Sequence, residues 1–442
     1  MPTSAIYAAA ATLIPLALLT LTWMRFAKGE SNFLFASLAG GLAVLFTAAA
    51  HRFRARMAQE RLPALDLGLG AFASAAIGAL ALGFVMGLDG GTLTVALALA
   101  ALGAAFVAIR LDIPALRWCV AGLGIAVAGR LAWEPRIVGA ALGDTPVFNW
   151  LLFGYGVPAV AFGYAARMMR RAGGVEDVPV KIAQALCILF NAFLVFFQIR
   201  HSINGGNAYA PTSRLIEQGL FAVSAFGFAI VLTRLDAARS NVVFRFASLG
   251  FGVLSFVFTA VGLGFFANPV FTYEPVEGGT FFNALLIAYL LPGLLALVLS
   301  RIAVNVRPHW YVQGARIATI ALVFAWLTLQ TRRFFHDAIL RLVDFPFQVK
   351  PVTQGEIWTY SAVWLGFGLL LLAYGLWRGS KEARLASAGF VVLSVLKVFF
   401  FDLEGLQGIA RALSFIVLGV VLMGIGLVYQ KFVFRGGAPP VV

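Results

Sequence analysis

The residues best suited to chemistry in this 442-residue chain are arginines in two matching motifs. The motifs are Gln198-x-Arg200-His201 and Gln330-x-Arg332-Arg333. A guanidinium carries a planar fork of N–H donors that matches a phosphate or a carboxylate at two points. If Arg200 and Arg332 occupy equivalent positions across a groove, they would form a site for a phosphorylated lipid, a lipid-linked sugar or an anionic glycan.

Acidic residues expected near the same surface offer these arginines a different role. Ion pairs with them would tie helix ends together and leave the arginines structural. The sequence leaves both interpretations open. The acids are Glu217, Asp337, Glu356, Asp402 and Glu404. The complete candidate set for substrate binding is Gln198, Arg200, His201, Glu217, Gln330, Arg332, Arg333, Glu356, Lys397, Asp402, Glu404 and Arg411.

Lys397 differs from the other candidates because it falls inside an apolar run. An ionisable residue in a membrane helix is a functional hypothesis by default. Snorkelling of the ammonium to the nearby interface is the commoner explanation. The predicted partner of Lys397 is Asp402 or Glu404, just beyond the end of the run.

Motifs for metal binding and nucleophilic catalysis are absent from the sequence. The histidines His51, His201, His309 and His336 are scattered, and the two cysteines stand alone in apolar runs. There is no Gly-x-Ser-x-Gly elbow, no His-Glu-x-x-His pair and no phosphate loop. We therefore expect no metal and no cofactor, and an enzyme is the less favoured class.

The elements that must position these residues are membrane helices. The chain is 61% hydrophobic and 12% charged, against about 25% charged in soluble domains. Fourteen apolar runs approach the roughly 20 residues that span a bilayer. The sequence therefore predicts an all-α polytopic bundle of about 14 spans. The runs lie near 5–26, 32–50, 66–87, 92–110, 115–133, 149–169, 181–200, 215–234, 245–267, 280–301, 312–330, 357–377, 385–401 and 408–430.

The net charge of +14 reflects where the loops lie rather than a nucleic-acid partner. Membrane proteins concentrate Lys and Arg in cytoplasmic loops, and no basic soluble domain is present. Arginines and lysines cluster in 52–61, 167–181, 234–239 and 378–384. Connections on the other side, such as 268–279, contain none. With fourteen spans, this alternation predicts that both termini are cytoplasmic.

Three pairs of segments match within the chain and indicate an internal repeat. Segments starting at Asn149 and Asn283 share Asn-x-Leu-Leu-x-x-Tyr-x-x-Pro, ending at Pro158 and Pro292, where we expect kinks. The Gln-x-Arg motifs form the second pair, and Arg245–Ser255 and Arg384–Ser394 form the third. The order is the same in both copies, and the offset between the copies is nearly constant. Four helices per repeat would make the repeats parallel, as in some transporters. The predicted regions are 1–140 (a possible diverged copy), 141–268 and 269–442.

The C-terminal stretch carries a family resemblance. It runs from Phe401-Asp402-Leu403-Glu404-Gly405-Leu406 through Arg411-Ala412-Leu413-Ser414-Phe415 to Tyr429-Gln430. Together with the Gln198 motif and Glu217-Gln218, it resembles a family of bacterial multi-span membrane proteins called domain of unknown function 2339. The resemblance implies a bacterial cytoplasmic-membrane protein and brings no activity or catalytic residue. Family members are usually longer, which implies a short or partial member.

Three function classes follow from these observations. The first is a transporter or flippase for an anionic, envelope-related substrate, with the bilayer and an anionic lipid or lipid-linked glycan as partners. The second is a membrane-embedded transferase of envelope assembly, using Asp402, Glu404 or Glu356 as acid or base. The third is a non-catalytic scaffold. Saturated ion pairs without a groove would favour the scaffold, and an open groove lined by Arg200 and Arg332 would favour transport.

Overall fold

The computed structural model describes most of the chain. The described residues are 2–59, 62–133, 142–143, 145–173, 176–211, 214–344, 348–349, 352–398 and seven positions between 416 and 427. Within them the fold is almost entirely helical. The exception is a small antiparallel pairing of Val343–Asp344 with Gln348–Val349.

Thirteen α-helices form within the described residues, and the first thirteen apolar runs all contain helix. Ten of these helical segments are long and apolar enough to cross a membrane, judged by length and composition. The last run, 408–430, is described only at a few helical positions. The helices are α1 (Pro2–Phe26), α2 (Phe33–Met57), α3 (Pro63–Gly87), α4 (Gly90–Arg110), α5 (Pro114–Trp133), α6 (Val157–Gly173), α7 (Val178–Ile203), α8 (Leu215–Ala238), α9 (Val242–Val257), α10 (Leu291–Ile302), α11 (His309–Phe335), α12 (Gln354–Trp377) and α13 (Lys381–Lys397).

Polar side chains set the starts of several helices. The Asn32 side chain accepts hydrogen bonds from the first turn of α2, and Asp177 accepts one from Val180 at the start of α7. Thr353 and Ser380 cap α12 and α13 in the same way. These oxygens satisfy N–H groups that have no partner inside the helix. Each of these four helices therefore begins at a defined residue.

Two of the helices are preceded by π-helical turns. The segment Leu152–Gly156 leads directly into α6, and Leu286–Leu290 leads directly into α10. Pro158 and Pro292 follow as the second residue of each helix. Proline has no N–H and crowds the carbonyl four residues earlier, so the preceding turn widens. A third π-helical segment, Phe258–Phe266, continues α9.

The chain divides into two compact units. The first unit contains residues 1–211 and 241–247. Its core includes the buried rings of Tyr155, Phe162 and Phe190 and a stripe of alanines along α4. Small side chains at helical spacing let neighbouring helices approach closely. Helix α4 accordingly packs against both α5 and α6.

The second unit contains residues 212–240 and 248–442. Its core is formed mainly by α8, α10 and α11, around the buried side chains of Phe226 and Tyr311. The Tyr289 hydroxyl donates to the carbonyl of Leu263 at 2.8 Å and joins two of the π-helical segments. Helix α12 packs on α11 and on α13, which brings the predicted acid Glu356 beside the end of α11.

Candidate functional site

In the first unit, the amides of Asn149 and Gln198 bond each other in both directions. Asn149 Nδ2 donates to Gln198 Oε1 at 3.1 Å, and Gln198 Nε2 donates to Asn149 Oδ1 at 3.0 Å. The same Oδ1 accepts the N–H of Leu151 at 3.0 Å. The pair thereby connects the last turns of α7 to the residues that begin the π-helical turn. Both amides are committed to holding these elements together.

His201 lies buried beside this pair. Its Nε2 is 2.7 Å from the carbonyl oxygen of Gly143, and its Nδ1 is 3.3 Å from Asn149 Nδ2. A carbonyl only accepts and an amide nitrogen only donates. The arrangement therefore fits a ring whose Nε2–H donates to Gly143 while Nδ1 accepts from Asn149. Both ring nitrogens make contacts within the protein.

Arg200 reaches forward to the segment that follows its own helix. Its Nε donates to the carbonyl of Ala208 at 2.8 Å, and its Nη2 donates to the carbonyl of Ala210. These carbonyls belong to the connection after α7, which the arginine holds against the helix end. The side chain is half-buried. This arginine therefore acts as a clamp on the backbone.

The second unit contains several corresponding contacts at its own copy of the motif. Asn283 Nδ2 donates to Gln330 Oε1 at 3.1 Å, and Asn283 Oδ1 accepts the N–H of Leu285 at 3.0 Å. Arg332 Nε donates to the carbonyl of Leu340 at 2.5 Å. The carbonyl bound by Nε thus lies eight positions after the arginine in both units. The two motifs therefore share these three contacts. They differ at the glutamine Nε2, which donates to Asn149 in the first motif and to the Thr280 carbonyl in the second.

Arg332 also joins a buried cluster around Glu356, called here the Glu356 cluster and comprising Arg332, His336, Glu356 and Tyr360. Arg332 Nη1 is 3.2 Å from Glu356 Oε1, and His336 Nε2 is 2.8 Å from Glu356 Oε2. The Tyr360 hydroxyl donates to Oε1 at 3.1 Å. The Glu356 side chain is 0% exposed and that of Arg332 is 3% exposed. An ion pair between a candidate arginine and a candidate acid is therefore present at this position.

Lys397 connects the end of α13 to the first turns of α12. Its Nζ donates to the carbonyl of Ile357 and to Ser361 Oγ, each at 2.7 Å. This contact places an ammonium near the first turn of α12, which also carries Glu356. The predicted partners of Lys397, Asp402 and Glu404, lie outside the described residues, as does Arg411.

Arg333 lies at the end of α11 and contacts the backbone around it. Its Nη1 donates to the carbonyl of His336 at 3.2 Å, and its Nη2 donates to the carbonyl of Gly278 at 3.3 Å. Both acceptors are main-chain oxygens, as they are for Arg200. This candidate therefore also holds a connection against a helix end.

Glu217 is buried in the first turn of α8. Its Oε2 accepts the N–H of Arg214 at 3.3 Å. Glu217 is the third residue of α8, as Glu356 is the third residue of α12. The two acids are separated by the same offset as the third pair of repeated segments. This equivalence was available in the sequence.

Sequence reasoning missed a second buried ion pair in the second unit. Arg307 Nη1 lies 2.6 Å from Asp236 Oδ2, with side chains 0% and 2% exposed. The Arg307 Nη2 donates to Ser248 Oγ at 2.6 Å, and the Tyr311 hydroxyl donates to the Ser248 carbonyl at 3.0 Å. The one available signal was an aspartate in the last turn of an apolar helix. Its partner lies far along the chain and has no motif around it.

The described residues contain no group of three or more His, Cys, Asp or Glu side chains placed to hold a metal ion.

A family model described as "Predicted membrane protein (DUF2339)" matches residues 2–432, which is nearly the whole chain. The match confirms the resemblance to this family, which is most specific in the C-terminal stretch. No curated protein and no solved structure matches the chain.

Proposed function

We propose, from the premise that the chain belongs to the DUF2339 family of predicted membrane proteins, that it acts as a non-catalytic scaffold of the bilayer. In this proposal the polar motifs brace helix ends, and Arg200 and Arg332 are structural. The bilayer is the partner that the helices require, since ten described segments are apolar enough to cross it.

The observation that carries the proposal is that all three nitrogens of the Arg332 guanidinium donate hydrogen bonds within the protein. Its Nε, Nη1 and Nη2 donate to the Leu340 carbonyl, to Glu356 and to the Arg341 carbonyl. A phosphate could bind only by displacing these acceptors, and a buried acceptor left without its donor costs about 1–3 kcal/mol. A displaced Glu356 would also be a buried charge without its partner. The geometry therefore supports a clamp better than an anion site.

The competing functions fit the described geometry less well. A transporter or flippase for an anionic substrate needs guanidinium donors that face a groove, and Arg200 also directs Nε and Nη2 at carbonyls. A transferase needs an acid or base open to substrate, and Glu356 is buried under Arg332, His336 and Tyr360. The other acids proposed for that role lie outside the described residues.

The architecture we propose has about fourteen spans, with parallel repeats at 141–268 and 269–442 after an N-terminal region at 1–140. Support comes from the matching contacts of Asn149 with Gln198 and of Asn283 with Gln330. Further support comes from the π-helical turns that precede Pro158 and Pro292. An even number of helices per repeat returns each motif to the same side of the membrane.

The orientation we propose places both termini in the cytoplasm of a bacterium, with the chain in the cytoplasmic membrane. The connection 378–380 and its flanking basic residues would face the cytoplasm, because Lys and Arg are retained there. Labelling of single cysteines in a variant without Cys119 and Cys187 tests this in intact cells. A membrane-impermeant maleimide is expected to label a cysteine at 273 and to leave one at 379 unlabelled, and the reverse pattern would overturn the orientation.

The function experiment compares the wild type, an Arg200→Ala/Arg332→Ala double variant and Arg332→Lys in native nanodiscs. The control is Arg171→Ala, an exposed arginine at the end of α6. Mass spectrometry identifies co-purifying molecules, and thermal unfolding measures stability. We expect lower stability in the double variant and in Arg332→Lys, because an ammonium cannot reach three separate acceptors. Bound molecules should be unchanged.

A stoichiometric phosphorylated lipid or glycan that leaves the folded double variant, but not the control, would overturn the scaffold. If the double variant fails to fold, Arg332→Lys decides the question. An anion site would retain part of its ligand through the lysine charge, and a clamp would lose stability with no change in ligand.

A further inference from the structure

A cavity of about 550 Å³ lies in the second unit, at the end of the helices opposite the Glu356 cluster. It is formed where α10 ends, α11 begins, α12 ends and α13 begins. Its deep part is lined by the apolar side chains of Leu297, Val323 and Phe367. Arginines stand at its rim, near the connections between these helices. The cavity shares no residue with the Gln-x-Arg motifs or with the Glu356 cluster.

The rim has an excess of positive charge. Three arginines and one glutamate line the cavity, a formal balance of +2. Arg316 is paired with Glu382 at 2.9 Å. Among the described residues, no carboxylate lies within 4.0 Å of the guanidinium of Arg301 or Arg378. Arg301 Nη2 lies 3.5 Å from the Tyr374 hydroxyl, and Arg378 lies 5.2 Å from the Trp377 ring.

The depth of the cavity fits an amphiphile. Phe367 at its base and Arg378 at its rim are three turns apart on α12, which is about 16 Å along a helix. Cations at one end and apolar side chains at the other match a phosphate headgroup and an acyl chain. A small inorganic anion would leave the apolar part of the cavity unfilled.

Aromatic side chains mark the rim as the level of the membrane interface. Trp377 is 80% exposed at the end of α12, and Trp310 is 55% exposed at the start of α11. Tryptophan is enriched where the hydrocarbon meets the headgroups. Arg301 and Arg378 therefore lie at the depth of the lipid phosphates, where anionic headgroups attract cationic side chains.

We infer that this cavity is a binding site for one phospholipid with an anionic headgroup. The headgroup phosphate is held by Arg301 and Arg378 through charge-assisted hydrogen bonds, and an acyl chain lies against Val323, Phe367 and Leu371. This site goes beyond the scaffold proposal and does not depend on it, since it contains no residue of the Gln-x-Arg motifs or of the Glu356 cluster.

The test uses the full chain in detergent and native mass spectrometry. The probes are phosphatidylglycerol and phosphatidylcholine with the same acyl chains, and inorganic phosphate as a competitor. The wild type is expected to retain one phosphatidylglycerol and to release phosphatidylcholine at lower collision energy. The variant Arg301→Ala/Arg378→Ala is expected to lose about tenfold in affinity for phosphatidylglycerol, which corresponds to about 1.4 kcal/mol.

The matched control is Arg167→Ala/Arg171→Ala, which removes two exposed arginines from the end of α6 in the first unit. It should bind phosphatidylglycerol as the wild type does. A second variant, Leu371→Trp, fills the apolar part and keeps the rim charges. It is expected to lose the lipid as well, which separates a lipid from a free phosphate as the ligand.

Three outcomes would overturn the inference. They are equal retention of the two lipids by the wild type, unchanged affinity in Arg301→Ala/Arg378→Ala, and displacement of the lipid by millimolar inorganic phosphate. Because Arg301 and Arg378 are exposed, their removal should leave the unfolding temperature of the lipid-free chain unchanged. A variant that does not fold is replaced by Leu371→Trp, whose unchanged lipid retention would likewise contradict the site.

Discussion

Arg332 Nη1 and Glu356 Oε1 lie 3.2 Å apart, in side chains that are 3% and 0% exposed. The pair joins the end of α11 to the beginning of α12. Two charges withdrawn from water are tolerated only when each has its partner and its remaining hydrogen-bonding groups are satisfied. The carbonyls of Leu340 and Arg341 satisfy the arginine, and His336 and Tyr360 satisfy the carboxylate.

Removing either member of this pair is expected to destabilise the chain strongly. Arg332→Ala and Glu356→Ala should each lower the free energy of unfolding by about 3–5 kcal/mol, because each leaves a buried charge without its ionic partner. The double variant Arg332→Ala/Glu356→Ala should lose clearly less stability than the sum of the two single losses. Unfolding in mixed detergent micelles measures all three free energies. Losses that add to within about 0.5 kcal/mol would mean that the two side chains do not interact.

The buried and exposed ion pairs of the second unit should differ in weight. Arg307→Ala removes the partner of Asp236, where both side chains are buried, and should cost about 3–5 kcal/mol. Arg316→Ala breaks a pair whose side chains are 35% and 49% exposed, and should cost less than about 1 kcal/mol. Equal unfolding temperatures for the two variants would contradict the structural role given to Arg307.

The positions of the helices could be predicted from the sequence, because an apolar run of membrane length leaves few alternatives to a helix. Arg200, Arg332 and Glu356 could also be selected as candidates, because the two arginines share a repeated motif and the acid is expected near the same surface. Their acceptors could not be predicted. Arg200 and Arg332 bind main-chain carbonyls, and a carbonyl belongs to every residue, so it leaves no pattern in a sequence.

Two other features could not be predicted for related reasons. Asp236 and Arg307 meet only because α8 and the connection after α10 lie side by side in the tertiary structure. Residue spacing along the chain does not reveal such a contact. Arg301 and Arg378 were indistinguishable from ordinary basic residues of cytoplasmic loops, because a cavity is a property of packed helices. By contrast, the equivalence of Glu217 and Glu356 could have been predicted, because the same offset separates them as separates the third pair of repeated segments.

The two Asn–Gln amide pairs should contribute equally to stability if 141–268 and 269–442 are repeats. Asn149→Ala and Asn283→Ala each remove the asparagine donor to a glutamine Oε1 and the acceptor of a main-chain N–H. Each should cost about 1–3 kcal/mol. The control is Asn191→Ala, because the Asn191 amide donates to Cys187 of its own helix. If thermal unfolding shows a loss in only one of the two variants, the two asparagines do not have equivalent roles.

The contact of α8 with the second π-helical turn should not tolerate a methyl group. A Cβ added at Gly219 would lie 2.6 Å from the Cα of Ala288, so the backbone itself would have to move. Gly219→Ala should therefore lower the free energy of unfolding by about 1–3 kcal/mol, as overpacking does. Gly227→Ala in the same helix meets nothing within 4 Å and should be neutral or slightly stabilising, because alanine favours helix. Similar unfolding temperatures for both variants would show that α8 does not lie this close to Ala288.

The pH dependence of stability should contain a contribution from Glu274, in the connection between the π-helical segment Phe258–Phe266 and Leu286–Leu290. Both its carboxylate oxygens accept the N–H of Leu215, at 3.2 and 3.0 Å. Burial raises the pKa of Glu274 above its ordinary 4.5, more than the Leu215 hydrogen bond and Arg214 lower it. The folded chain therefore binds this proton more tightly than the unfolded chain does.

A raised pKa in the folded state fixes the sign of the effect. The stabilisation from Glu274 is complete below the unfolded pKa and is lost as the pH rises through the folded pKa. Glu274→Gln mimics the protonated form and has no such loss. The free energy of unfolding of Glu274→Gln, relative to the wild type, should therefore rise from about pH 4 upward and then level off. The exposed Glu30→Gln provides the control, and a difference that falls as the pH rises would mean that hydrogen bonding outweighs burial at Glu274.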